Sequence, residues 1–175
     1  MFFDEFGFSF LEELAPTWAP KGRRPILRRV TRERRAVSTA VGLTIAGEIY
    51  QRHSVGGMKS KQVVQAVTHI QHHLPKGFIL VWDGGRIHKS NETQAYLAAH
   101  PEIGVEWLPP YAPELNPEEY CHGNVKRRLK NATPASAQEI CCLLDRGFAR
   151  LRRRHDLLLS FFHEAGLSVN QLWLT

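Results

Sequence analysis

Residues 78–90 read FILVWDGGRIHKS, and this stretch decides the fold. Phe78 to Trp82 is a short, unbroken apolar run, as expected of a strand buried on both faces at the centre of a sheet. It ends at Asp83, which two glycines follow. Upstream, Val63, Ala66, Val67, Ile70 and Leu74 recur at helical spacing, and Pro75-Lys76-Gly77 stops that helix. Downstream, a helix is expected over Ser90 to Ala99 and a second short strand over Val105 to Leu108, followed by a proline-rich loop from Pro109 to Pro117. Asn116 can cap a helix that has Pro117 at its first position and runs to about Lys130. Two further helices are expected, one over Ala137 to Arg154 with Ile140, Leu144 and Leu151 turned inward, the other over Leu157 to Ala165.

The N-terminal part has a different rhythm. Phe2 to Phe10 is apolar and aromatic and reads as a strand that breaks at Gly7. An irregular loop or arm holding Pro16, Pro20, Gly22 and Pro25 follows. Ala36 to Ile49 is rich in β-branched residues, and Gly47 offers a turn before a strand over Ile49 to Val55. Three strands in a meander, followed by alternating helices and strands, predict an α/β fold: a mixed five-stranded sheet flanked by helices.

Composition limits the function classes. A chain of 175 residues, 43% hydrophobic, suits one domain with a real core. No apolar run reaches the ~20 residues that span a bilayer, so no membrane partner is expected. The N-terminus does not read as a signal peptide. Three cysteines without a CxxC pair point to neither a disulfide framework nor a cysteine zinc site, and a cytoplasmic location is expected. The net charge of +6 favours polyanions. It is concentrated in Lys21, Arg23, Arg24, Arg28, Arg29, Arg32, Arg34 and Arg35, in Lys126, Arg127, Arg128 and Lys130, and in Arg150, Arg152, Arg153 and Arg154. Each cluster alone could be a solvated face; together they suggest contacts to phosphate.

Three acids stand where a site can open: Asp4 on the first strand, Asp83 at the end of the buried strand, and Glu119 in the first turn of a helix. Converging carboxylates raise one another's pKa unless cations neutralise them. Mg²⁺ suits such a set, because it takes oxygen ligands and leaves positions for substrate phosphate.

The stretches FFDEFGFSF, WAPKGRRP, LVWDGGRIHKS and WLPPYAPELNPEEYCHGNVKRRLK resemble the DDE endonuclease domain of mariner-like transposases, in particular their bacterial insertion-sequence branch. The resemblance runs from Phe2 to about Lys130 and more loosely to the C-terminus. The 35 residues between Asp83 and Glu119 are close to the separation in that superfamily. It implies a ribonuclease H-like fold, a single catalytic domain over 1–175, and Asp4, Asp83 and Glu119 as the acids that hold two Mg²⁺ or Mn²⁺ ions. His88 matches a family histidine, expected beside the site as a phosphate contact or a brace, and Asn116 matches the family's Asn-Pro pair. The implied activity is phosphodiester hydrolysis and strand transfer on DNA, with transposon ends and target as substrates. Lys21, Arg23, Arg24, Arg28 and Arg29 on the arm, with Lys126, Arg127 and Arg128 on the helix, would hold the DNA backbone. The resemblance also implies a homodimer on paired ends, association with the nucleoid, and a helix-turn-helix region that this sequence lacks: either an upstream polypeptide supplies it or the sequence is a fragment.

The chain departs from the family pattern at Gly84, where asparagine is usual, and at His122, where tryptophan often stands. Other readings stay open on the sequence alone. Glu119 stands where a capping-box glutamate belongs, Glu118 competes as the third acid, and Asp83 before two glycines could cap a turn. Glu5 should point to the opposite face from Asp4. His69 and His73 read as a solvated helix face rather than a zinc pair, and Trp18, Trp82, Trp107 and Trp173 as core or anchors. A DNA-holding remnant that no longer cuts, or another ribonuclease H-like nuclease, are the rival functions.

Overall fold

The computed structural model describes residues 1–9, 14–27 and 36–169. Five strands of the described residues form one sheet in the order β3-β2-β1-β4-β5, with β1 Phe2–Ser9, β2 Ala36–Leu43, β3 Ile49–Val55, β4 Phe78–Trp82 and β5 Ile103–Trp107. β1, β2 and β3 pair antiparallel, whereas β4 and β5 are parallel to β1 and to each other. Among the described residues five α-helices cover the sheet: α1 Ser60–His73, α2 Asn91–Ala99, α3 Pro117–Arg128, α4 Ala137–Leu151 and α5 His155–Glu164.

The alternation of β1 assigns its side chains to two cores. Phe3 packs with Ala40, Leu80, Trp82 and the apolar stripe of α1, Val63, Ala66, Val67 and Ile70. Phe6 and Phe8 pack on the other face, against Cys121 and Val125 of α3 and Ile140, Leu144 and Phe148 of α4. α3 and α4 approach closely because Gly147 has no side chain; a Cβ there would meet Val125 Cγ1 at 2.7 Å. Asp145 fastens α4 to the sheet edge through Gln51 and His53, and His53 in turn bonds Thr39.

Several boundaries differ from expectation. β1 does not break at Gly7, which stays paired with Ser38, because a glycine in an antiparallel ladder needs no side-chain space and its backbone groups still bond. β5 begins two residues early, at Ile103, because Gly77 at φ 88 lets the β4 backbone start against Glu102. α4 stops at Leu151 rather than Arg154, and α3 at Arg128. Trp82 is fully buried, as expected, but Trp107 is 43% exposed and Trp18 completely so, which makes Trp18 no core anchor. Trp173 lies outside the described residues.

Candidate active site

Sheet register brings the first two acids level. Phe2 of β1 pairs with Val81 of parallel β4, and two residues further along each strand stand Asp4 and Asp83. Neighbouring strands lie about 4.8 Å apart, so the two carboxyls leave the same end of the sheet side by side. Glu119 arrives from the first turn of α3. A cleft of about 610 Å³ is lined by all three acids, by Gly84, Gly85 and Lys89, and by the Trp107–Pro113 loop with Asn116. Tyr111 on that loop is fully exposed and holds φ 59, an uncommon backbone for an aromatic residue.

Asn116 ties Asp4 to the start of α3. Its side-chain oxygen accepts from Glu118 N at 3.1 Å, capping α3, while its amide donates to Asp4 Oδ2 at 3.1 Å. The Asn116 backbone N–H donates to Pro113 O. That donor is therefore unavailable to a capping-box glutamate, and Glu119 points instead towards Asp4 and His122.

Asp4 has a second constraint, the Glu5 N–H donating to its Oδ1 at 2.7 Å. Burial, together with the nearby Glu118, Glu119 and Glu5 carboxylates, pushes its carboxyl up to about 8 despite that donor. Glu119 lies on the other side of this coupling: the His122 bond holds it below the ordinary range, against the opposing effect of burial. One carboxyl keeps a proton so that its neighbour can be charged, as expected of acids crowded together without a cation.

Glu5 does face away from Asp4, but not idly. Its carboxylate accepts from His88 Nε2 at 2.9 Å, and His88 Nδ1 lies 2.7 Å from Asp83 Oδ1. The ring is buried, stacked on Trp82 with centroids 4.2 Å apart. Burial alone would lower its pKa, but Glu5 and Asp83 outweigh it and lift the imidazole to about 9. With acceptors at both nitrogens His88 is an imidazolium, and it braces Asp83. The Gly85 N–H adds a donor to Asp83 Oδ1 at 2.9 Å. Asp83 is thus held although Gly84 offers no side chain.

A second histidine stands behind Glu119. His122 Nδ1 meets Glu118 Oε2 at 2.8 Å and Nε2 meets Glu119 Oε2 at 3.0 Å, while the ring stacks on Phe6. Glu118 is completely buried on this face, which removes it as a competitor for the open cleft. Burial raises its carboxyl to about 7, partly offset by His122, and those two carboxylates lift His122 to about 10 against its own burial. Sequence reasoning set Glu5 aside and gave His122 no role. The i, i+3 and i, i+4 spacing of Glu119 and Glu118 from His122 was the available signal.

The basic residues divide. Lys21, Arg23 and Arg24 lie on an exposed loop, and Lys126, Arg127 and Arg128 end α3, where they also complement the helix dipole. Arg28 and Arg29 fall outside the described residues. The third cluster is partly committed to the fold: Arg152 donates to Ile49 O and Gln51, and Arg154 pairs with Asp156. Lys89 lies over the Trp107 ring, 5.4 Å from its centroid, beside the cleft. No helix among the described residues is long and apolar enough to cross a membrane.

The residues present suit divalent cations. Asp4, Glu119 and His122 offer ligand atoms within 4.8 Å of one another, and Asp83 shares the cleft with Asp4. Hard oxygen donors dominate, and the raised Asp4 carboxyl is one whose ionisation a cation would favour.

Comparison with solved structures gives the same architecture. The Mos1 mariner paired-end complex with Mg superposes with TM-score 0.67 at 17% identity, over 94% of this chain and 52% of that one. The Mn complex gives 0.66 at 18% identity, over 94% and 54%. The isolated catalytic domain of Mos1 mariner transposase gives 0.58 at 13%, over 95% and 82%. The fold is therefore that of ribonuclease H-like transposase catalytic domains, and the chain spans about half the length of the Mos1 chains in the paired-end complexes. No curated protein sequence matches significantly. The sequence model of the family described as "DDE superfamily endonuclease" matches residues 1–141, so this chain belongs to the DDE superfamily endonuclease family.

Proposed function

We propose that this chain is the catalytic domain of a DNA transposase, cutting phosphodiester bonds at transposon ends and joining the freed 3′-hydroxyl to target DNA. The observation that carries the reading is the convergence of Asp4, Asp83 and Glu119 on one open cleft, where burial and the neighbouring carboxylates raise the Asp4 carboxyl well above its ordinary range. Asp4, Asp83 and Glu119 would hold two Mg²⁺ or Mn²⁺ ions. Such ions, when bound, lower the pKa of the attacking oxygen and neutralise charge on the leaving one.

The chain's own groups do the rest. His88 and the Gly85 N–H fix the Asp83 carboxylate, and Asn116 fixes Asp4 relative to α3. Lys89 stands at the cleft wall, where a scissile phosphate would lie. Tyr111 presents a bare ring beside it, suited to stacking on an unpaired base. Lys21, Arg23, Arg24, Arg28 and Arg29 on the arm and Lys126, Arg127 and Arg128 on α3 would contact backbone phosphates without reading sequence. One catalytic domain over 1–175, paired as a homodimer on two ends, with end recognition from a helix-turn-helix region, completes the proposal. A cytoplasmic protein associated with the nucleoid fits it.

The test is Mn²⁺-dependent nicking of candidate end duplexes, run beside Asp83→Asn. Cleavage abolished by the substitution, with duplex binding retained, is the expected result. Equal cleavage by both proteins would sink the assignment.

A further inference from the structure

His122 stands directly behind Glu119, and its surroundings are those of a ligand. Glu118 is wholly buried, and its one side-chain hydrogen bond among the described residues goes to His122 Nδ1, while its Oε1 has no hydrogen-bond partner among them. A buried carboxylate with an unpartnered oxygen is costly to keep. A carboxylate bonded to one nitrogen of an imidazole is the arrangement that turns the other nitrogen towards a metal. Nε2 here points to Glu119 Oε2 at 3.0 Å. Adjacent ligands of an octahedral ion, each at about 2.1 Å, are about 3.0 Å apart. Nε2 and the Glu119 oxygen therefore already stand at the spacing of one edge of a coordination octahedron. Asp4 completes a group whose ligand atoms lie within 4.8 Å of one another, and stacking on Phe6 keeps the ring from turning away.

We infer that His122 is a metal ligand, joining Asp4 and Glu119 in a mixed oxygen–nitrogen site that Glu118 orients from behind. The inference rests on the proposed function, since it concerns one of the two cation positions of that site. On binding, the cation takes the place of the Nε2 proton, which leaves to solvent. Imidazole favours transition ions, whereas Mg²⁺ prefers an all-oxygen set. This site accordingly selects Mn²⁺ over Mg²⁺.

The experiment uses the full chain loaded with Mn²⁺, read by electron spin-echo modulation and by calorimetry. The parent shows ¹⁴N coupling from a bound imidazole. His88→Gln keeps the coupling, whereas His122→Gln and Asp4→Asn lose it. His122→Gln lowers Mn²⁺ affinity at this site at least tenfold and Mg²⁺ affinity by less than about threefold, and Glu118→Gln weakens Mn²⁺ about tenfold. Manganese bound without nitrogen coupling in the parent overturns the inference while leaving the three-acid site intact. So does coupling that survives His122→Gln. Absence of any manganese binding, with or without a duplex, overturns both this inference and the proposed function. Should His122→Gln not fold, the intact chain carrying ¹⁵N-histidine and the His88→Gln variant decide: the coupling must change to that of ¹⁵N and must persist without His88.

Discussion

Replacing Asp4 by asparagine should make the metal-free protein more stable while removing its response to metal. The Asp4 carboxyl titrates at about 8 in the folded chain against an ordinary value of 3.8. Between those values the folded state holds a proton that the unfolded state has released. Folding therefore costs about 1.4 kcal/mol more for each pH unit above the unfolded pKa. At pH 7 the ceiling is about 4 kcal/mol. The asparagine also gives up part of the acceptor capacity used by Glu5 N–H and Asn116, worth about 1 kcal/mol, and water at this part-exposed position screens more. A net gain of about 2 kcal/mol is expected, or about 4–8 °C in melting temperature for a chain of this size. The gain should be absent near pH 4, grow as pH rises, and level off above about 8. Mn²⁺ at a hundredfold excess over its Kd should stabilise the parent by about 2.7 kcal/mol and the variant far less. Thermal melts in chelator, then in Mn²⁺, from pH 4 to 8.5 provide the check. A variant that melts below the parent at pH 7 in chelator, or an advantage that does not shrink towards pH 4, would refute the crowding argument.

Asn116→Ala removes both the α3 cap and the Asp4 contact; it should cost about 1–2 kcal/mol in denaturant unfolding and weaken Mn²⁺ binding in calorimetry. Glu5→Gln keeps the shape of the Glu5 side chain but removes its charge from His88, so nicking should slow about 10–100-fold with duplex affinity unchanged. Replacing Lys126 and Arg127 by glutamine should leave the fold intact and reduce the slope of log affinity against log salt by about one per lost phosphate contact. An unchanged slope would remove α3 from the DNA surface. Tyr111→Gly should raise stability by about 0.5–1 kcal/mol, since glycine accepts the positive φ freely, while lowering affinity for single-stranded DNA.

The sheet was legible in the sequence because its signals are local. The apolar run at 78–82, the i, i+3, i+4 stripe of α1 and the Asn116-Pro117 start of α3 each carry their own physics. The three acids could be named from motif and spacing. What a linear reading could not supply is which side chains meet through the sheet. Glu5 was placed correctly on the far face, yet its worth depends on His88, which lies 83 positions away. His122 was readable as a departure, but its partner Glu118 gains its role only from complete burial, which no spacing rule encodes. The part the third basic cluster plays in the fold was hidden for the same reason: Arg152 finds its carbonyl, Ile49 O, on a strand 103 residues earlier.

The order of the elements also has a consequence during synthesis. All five strands and the α1–α2 layer precede Leu108, while α3, α4 and α5, which cover Phe6, Phe8, Val37 and Val41, follow it. A ribosome that has delivered β5 has therefore made a finished sheet with one greasy side still bare. Both aspartates are by then in place, but the glutamate that completes the trio is missing. The nascent chain passes through a stage in which it is sticky before it can be active, so a stop codon shortly after Trp107 should yield an aggregating product rather than a weak nuclease.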